Sequence, residues 1–538
     1  MAASGHVAAS GHVRSELPAS LFHDGTLLTQ LAQEFVDDFA ATSIEGGLAH
    51  IGNGMELEIS VGTVCSGSEI VLLVLRAISE AYQKQNICLK FIHAFSCEIK
   101  ASVQNWIKSL KEELEINEGC LFEKAEDMGQ KFAWCEIHKK KCVVPSADLV
   151  VAGTSCKDFS RSNNNRSKIG DVVTRATSPG GSAQTLRGLF AYLVRHQVQY
   201  LIMENVDTLD EVSSTSTILT PLDELVRELK LCGIRCQPVL TDAQLFGLPQ
   251  ERRRFYLVGV KEIANRLVDV GLRPCSEVFK SLGNYLQRCQ RTPPCLTKIL
   301  MGSDNVNVAS ALNKRLEDGS RHAQYNVAAV VATYKGQGLR WGDGGSGLPK
   351  EFVNSPWLKT LPSQQRSVMI FSHSQHPYKG SPEQGAIARD VSQSCARVRY
   401  SKFVARAHGQ PGRHVSFAQM PEQAVWLDLD PPRFQLGREA LLIQGFPIKK
   451  VPKCMAATSE NVLQQLGGNA MASTIILAIL VSLFEAVVWH GSPKVVVDEN
   501  DAISAMALLH ETLNCPKEDD ETNNGASSST SFMKRRKL

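Results

Sequence analysis

ADLVVAGTSCKDFS, Ala147 to Ser160, is an apolar run that stops at a glycine and delivers a cysteine into a polar loop. Leu149 to Ala152 reads as a buried parallel strand, and Gly153 onward as a turn-prone segment. Cys156 then stands at the carboxyl end of a strand, where open α/β sheets place their chemistry. A thiol there is a nucleophile if a nearby cation or dipole favours the thiolate, and Lys157 and Arg161 are close in sequence. The chain has 15 cysteines, and most cysteines are small buried hydrophobes. The reading therefore rests on what flanks this one.

Upstream, Leu57 to Val64 reads as a strand, Cys65-Ser66-Gly67-Ser68 as a turn and Glu69 to Tyr82 as a helix with apolar residues at 3–4 spacing. Leu89 to Phe95 is a second strand ending near Glu98, and Ala101 to Leu114 a second helix. Strand, small-residue turn, helix, strand, acid is the layout of a nucleotide-type cofactor site, here with Gly67 alone of the usual glycines. Glu126-Asp127 either closes a third strand and reaches an adenine amino group or is a solvated turn. Cys135, His138 and Cys142 give C-x2-H-x3-C, three ligands of a tetrahedral set with no fourth nearby, so no metal is expected.

Downstream, Arg161 to Gln184 is basic and rich in Asn and Gly, the kind of segment that closes over a polyanion. Leu186 to His196 reads as a helix, and Val198 to Met203 as a strand ending on Glu204-Asn205-Val206. A carboxylate at that tip is either a helix cap or a general acid whose pKa burial raises. Leu222 to Leu231 is amphipathic. A Gly-Leu-Pro turn then precedes a strand opened by Arg252, Arg253 and Arg254, in which Arg252 and Arg254 point together and Arg253 points away. Two guanidiniums aimed at one spot suit a base carbonyl, a phosphate or a carboxylate.

The 538 residues are 43% hydrophobic and 21% charged, an ordinary globular composition that predicts two to four domains. A net charge of +3 is too small to argue for nucleic acid by itself. Scattered cysteines in an odd number and no opening signal peptide predict a reducing compartment with free thiols. A doubled AASGHV, Ala2 to Val13, reads as a disordered tail, and Leu27 to Phe39 as a helix packed on the body. Ala470 to Trp489 is apolar, but Ser482 and Glu485 interrupt it, so it reads as a core helix and no membrane is expected. Val327 to Thr333, Ser367 to Ser372 and Ala396 to Val404 are strand-like. Lys517 to Thr530 reads as disordered, and Lys534 to Lys537 as an import signal or a charged tail.

Taken together these segments resemble the cytosine-5 DNA methyltransferases. The match runs through CSG at Cys65 to Gly67, GTSCKDFS at Gly153 to Ser160, ENV at Glu204 to Val206 and FGLPQERRRFYLVG at Phe246 to Gly259. It ends with GREALLIQGFP at Gly437 to Pro447 and LGGNAM at Leu466 to Met471. The resemblance implies a class I methyltransferase fold, a doubly wound, mostly parallel α/β sheet, with a smaller target-recognition domain. The expected divisions are an N-terminal tail to residue 54, a catalytic domain over 55–261, a recognition region over 262–435, a return to the catalytic domain over 436–490 and a polar tail over 491–538.

It also implies S-adenosylmethionine held by Cys65, Ser66, Gly67, Ser68, Glu98, Asp127 and Asn469, with Asn205 and Gln250 on the substrate. In the implied reaction the Cys156 thiolate adds to carbon 6 of a flipped-out cytosine. Glu204 engages N3 and the amino group, and Arg252 or Arg254 holds the O2 carbonyl. The implied partner is double-stranded DNA in a nucleus. The rivals are a transfer-RNA substrate, which a relative of this family modifies, and a silent nucleic-acid binder. Ser155-Cys156-Lys157 stands where the family reads Pro-Cys-Gln, which removes a residue that fixes the loop backbone. Pro293-Pro294-Cys295 reads as a decoy, and Ser68 replaces a second glycine.

Overall fold

The computed structural model describes residues 16–41, 48, 56–160, 181–211, 219–261, 274–318, 355–360, 365, 368–372, 386–392, 398–404, 412–421 and 423–487. The doubled hexapeptide, residues 161–180 of the expected closing loop, the strand-like 327–333 and the basic C-terminus lie outside them.

A nine-stranded sheet carries the fold. In chain order its strands are β1 (Glu56–Val64), β2 (Cys88–Cys97), β3 (Cys120–Phe122), β4 (Phe132–Cys135), β5 (Lys140–Val143), β6 (Leu149–Gly153), β7 (Tyr200–Val206) and β8 (Ile234–Asp242). A two-residue β9 (Gln250–Glu251) stands outside the sheet, and β10 (Arg253–Lys261) completes it. The spatial order is β5-β4-β3-β2-β1-β6-β7-β10-β8. β3, β2, β1, β6 and β7 run parallel, and β10 is antiparallel to both its neighbours. Chain order reverses between β1 and β6, so a crevice opens at their carboxyl ends. This is the expected doubly wound fold.

Side-chain alternation on the strands assigns the two faces. Leu149 and Val151 of β6 join one core cluster with Val61, Ile202 and Val258, while Val150 stays outside it. That face is filled by α2 (Leu27–Ala40), α3 (Ile70–Gln83), α4 (Ala101–Glu113) and the helix Ser473–Ala486. All fourteen residues of Ser473–Ala486 are buried, as a core helix requires. No single described helix is long and apolar enough to cross a membrane. α5 (Ser182–His196) carries its own buried row, Leu186, Leu189, Phe190 and Leu193, outside that cluster. α6 (Pro221–Leu231) starts where Thr220 and Asp223 cap each other reciprocally ahead of a first-turn proline.

The N-terminal helix packs on the body as expected: Leu17, Phe22 and the apolar face of α2 lie in the main core. Two expectations change. The recognition region does not begin cleanly at 262, because α7 (Cys275–Arg288) buries Val278, Leu282 and Tyr285 in the same core, followed by Leu296 and Ile299. Residues 368–372 are helical rather than extended. An unbroken apolar run carries no periodicity to separate helix from strand, and here Val368, Met369 and Ile370 pack with Trp357, Trp426 and Phe434 in a second, smaller core.

The rest of that region forms two small sheets from β11 (Ala388–Asp390), β12 (Lys402–Val404), β13 (Arg413–Phe417), β14 (Val425–Leu427) and β15 (Arg433–Phe434). β13 pairs with β9 through Ser416 and Gln250, which roots this region on the segment just before the three arginines. At the far edge of the large sheet, β3 brings Cys120 beside Cys135, His138 and Cys142. The fourth side chain that the local spacing lacks is thus supplied by a neighbouring strand.

Candidate active site

Strand register gathers the site. Gly153 at the end of β6 is the partner of Glu204 on β7, and Glu204 is the partner of Tyr256 on β10. Cys156 lies three residues beyond the first pairing and Arg254 two residues before the last. All three side chains therefore meet over the carboxyl ends of the strands. Arg254 Nε sits 3.1 Å from Glu204 Oε1, with both side chains largely buried. Arg252 and Arg254 face Glu204 together while Arg253 is exposed, as alternation predicts.

The two arginines have different work. Arg252 is buried, and its guanidinium donates to the carbonyls of Gln419 and Ala470 at 3.0 Å and of Gly468 at 3.5 Å. Its Nη2 is 3.9 Å from Glu204. It clasps the recognition region and the LGGNAM segment onto the start of β10. Burial, with Arg254 close by, pushes its pKa down to about 10, which leaves it charged at neutral pH. Asp242 orients the same segment, accepting from Arg252 N at 3.1 Å and Gln244 N at 3.2 Å. Sequence reasoning passed over Asp242, although an Asp opening a short turn is a usual cap.

Cys156 sits in a loop stitched to its surroundings on three sides. Asn205 Nδ2 donates to Thr154 Oγ1 at 3.0 Å, and Thr208 Oγ1 donates to Phe159 O at 2.6 Å. Asp158 Oδ2 accepts from Ser182 N at 2.6 Å while Ser182 Oγ accepts from Asp158 N at 3.2 Å. These bonds hold the backbone where Ser155 offers no fixed φ. They also use up Asn205, whose Oδ1 accepts from Val206 N. Asn205, expected from the sequence on the substrate, braces this loop. Gln250 is fully buried, with neither amide atom hydrogen-bonded.

Burial pushes the Cys156 thiol pKa above its ordinary value. Glu204 adds to this, while Arg254 and Arg252 oppose it. The cations with the largest effect thus come from the start of β10, not from the exposed Lys157, and Arg161 lies outside the described residues. Cys295 precedes the helix Leu296–Ile299, near Thr297 Oγ1 and accepting from His414 N.

The turn after β1 meets the requirements of a cofactor cradle. Cys65, Gly67 and Glu69 all have left-handed backbones, at φ 53°, 65° and 54°. A Cβ on Gly67 would stand 3.1 Å from Asn469 O, so the CSG turn and Asn469 close on one another. Ser68 Oγ is buried without a partner, while Ser68 O accepts from Trp106 Nε1 at 2.9 Å. Glu98 closes β2, and burial raises its pKa. Glu98, Glu126 and Asp127 all act electrostatically on Cys97, so carboxylates gather near the end of β2. That suits a ligand carrying a sulfonium and an ammonium, as S-adenosylmethionine does. Glu69, read from sequence only as a helix start, is buried under this turn and accepts from Thr63 Oγ1 at 2.6 Å.

A doubly wound sheet whose parallel middle is flanked by antiparallel strands, β4 on one side and β10 on the other, with such a crevice at its switch point, fits a class I methyltransferase fold. The family model for C-5 cytosine-specific DNA methylases matches residues 129–485, well over half of the chain, and the chain belongs to that family. It is 26% identical over 453 residues to the DNA (cytosine-5-)-methyltransferase DMT5 of Cryptococcus neoformans, covering 80% of this chain and 17% of the relative. The DMT5 of Verticillium dahliae is 24% identical, with 81% and 20% covered. The chain thus spans a fifth or less of these relatives' length. The solved methyltransferase EhMeth of Entamoeba histolytica aligns with a TM-score of 0.39 and 14% identity, over 80% of this chain and 98% of that one.

Proposed function

We propose that the chain transfers a methyl group from S-adenosylmethionine to carbon 5 of cytosine in DNA. The observation that carries this reading is the convergence of Cys156, Glu204 and Arg254 at the carboxyl ends of the strands. The Cys156 thiolate adds to carbon 6, and Glu204 stabilises the ring at N3 and the amino group as electron density moves to carbon 5. In this reading Arg254, which pairs with Glu204, holds O2. The CSG turn, Glu98, Asp127 and Asn469 would hold S-adenosylmethionine, whose sulfonium would supply the methyl group for carbon 5 and leave as the neutral thioether. Loss of the carbon 5 proton to a base then breaks the carbon–sulfur bond and frees the thiol. The cytosine has to leave the stack first, at a cost of a few kcal/mol.

The relatives' names favour DNA over transfer RNA, and Lys534 to Lys537 supports a nuclear location. The test is transfer of labelled methyl to unmethylated DNA, hemimethylated DNA and transfer RNA. DNA-dependent incorporation is expected, falling to background in Cys156→Ala. Incorporation into RNA alone would replace the substrate, and cofactor binding without transfer would make the chain a silent binder.

A further inference from the structure

Cys120, Cys135, His138 and Cys142 lie apart from the crevice chemistry, at the far edge of the sheet. Their ligand atoms all fall within 4.8 Å of one another. His138 Nδ1 is 3.6 Å from Cys120 Sγ, 3.3 Å from Cys135 Sγ and 3.4 Å from Cys142 Sγ. A tetrahedral zinc with Zn–S near 2.3 Å and Zn–N near 2.1 Å sets each sulfur about 3.6 Å from the nitrogen. The nitrogen therefore already stands close to the tetrahedral distance from each sulfur, and the three cysteines are free thiols.

We propose that these four residues bind one structural zinc ion. Three thiolates and an imidazole are zinc's preferred donors, and a set with all four positions filled by protein leaves no open site for catalysis. The backbone supports the geometry. Cys135 ends β4 and His138 follows in a tight turn, where Lys139 takes a left-handed φ of 52° and its N–H returns to Cys135 O. Cys142 comes back on β5 and Cys120 arrives from β3, so the ion joins three strands.

The location explains the need. β3, β4 and β5 have only three or four residues each, and the hairpin leaves Phe132, Trp134, Ile137 and Val143 exposed. So little burial does not hold a hairpin alone. A four-ligand staple supplies what packing lacks. It also fixes both ends of the link between β3 and β4, which contains the short helical turn Ala125–Gly129 with Glu126 and Asp127.

The test begins with the untagged full chain, purified under reducing conditions without chelator. Elemental analysis should find one zinc per chain, released when an organomercurial titrates the thiols. Cobalt exchanged into the site should give the intense visible bands of a tetrahedral thiolate complex. Cys120→Ser combined with Cys142→Ser should abolish both signals, while Cys295→Ser keeps both. A wild-type chain with no stoichiometric zinc and no cobalt–thiolate spectrum overturns the proposal, as does unchanged zinc in the double variant. The wild-type readings decide the matter even if the double variant does not fold.

Discussion

Cys156 is poised between opposite electrostatic demands, and its reactivity follows from their balance. Burial and the Glu204 carboxylate hold the thiol protonated, and Arg254 and Arg252 pull the other way. Because its pKa stands above the ordinary thiol value, the thiolate fraction is still rising at mildly alkaline pH, and alkylation should accelerate throughout that range. Glu204→Gln removes the opposing charge, so Cys156 should alkylate several-fold faster at pH 8 while methyl transfer collapses. Arg254→Leu should slow alkylation at the same pH. Iodoacetamide labelling, read by mass spectrometry on the Cys156 peptide, separates these outcomes. Equal rates in all three proteins would show that the charges do not govern the thiol. The sequence pointed to Glu204 and to the arginines through strand ends and alternation. It could not divide the arginines' labour, since the carbonyls that Arg252 binds lie some 170 to 220 residues away in the chain.

Between elements, buried ion pairs do the joining. Arg433 on β15 makes a two-pronged contact with Glu439, at 2.8 and 2.7 Å, with both side chains wholly buried. Glu439 also accepts from Met301 N and Leu436 N at 2.8 Å, which links the helix Gly437–Ile443 to the second residue after the Leu296–Ile299 helix. Removing one partner strands a buried charge, so Glu439→Ala should cost about 3–5 kcal/mol in denaturant unfolding. Arg438 pairs with Glu460 at 2.5 Å, nearer the surface, and Arg438→Ala should cost about 1 kcal/mol or less. Equal losses would mean that burial does not set the value of these pairs. The GRE motif was legible as a motif, but which of its charges is structural was not. Alternation and apolar runs report which face a residue takes, not which distant group it meets. The same limit hid Cys120, fifteen residues before Cys135 and on a different strand.

At the scale of the molecule, the catalytic layer is closed by segments from both ends of the described chain. The doubly wound class and the placing of the site at the strands' carboxyl ends could be read from the sequence, because β1, β2, β6 and β7 each end on a chemically marked turn. That α2 packs on the body could also be read, but not on which helices, since one amphipathic helix does not announce its partner. α2 buries Leu27, Leu28, Leu31, Phe35, Val36 and Phe39, and lies with α3, α7 and Ser473–Ala486 in one core. Arg288 of α7 donates to Asp38 and lies over Phe39, and Arg291 pairs with Glu34 and lies over Phe35. Six large side chains at about 1.5–3 kcal/mol each amount to roughly the full stability of a domain, about 5–15 kcal/mol. A chain beginning at residue 42 should therefore lose its cooperative thermal transition and aggregate through the uncovered faces of α3 and Ser473–Ala486. Leu31→Ala, a single cavity in the same interface, should fold but lose about 2–5 kcal/mol. If the truncated chain melted cooperatively at the full chain's temperature, α2 would be an accessory and not part of the catalytic core.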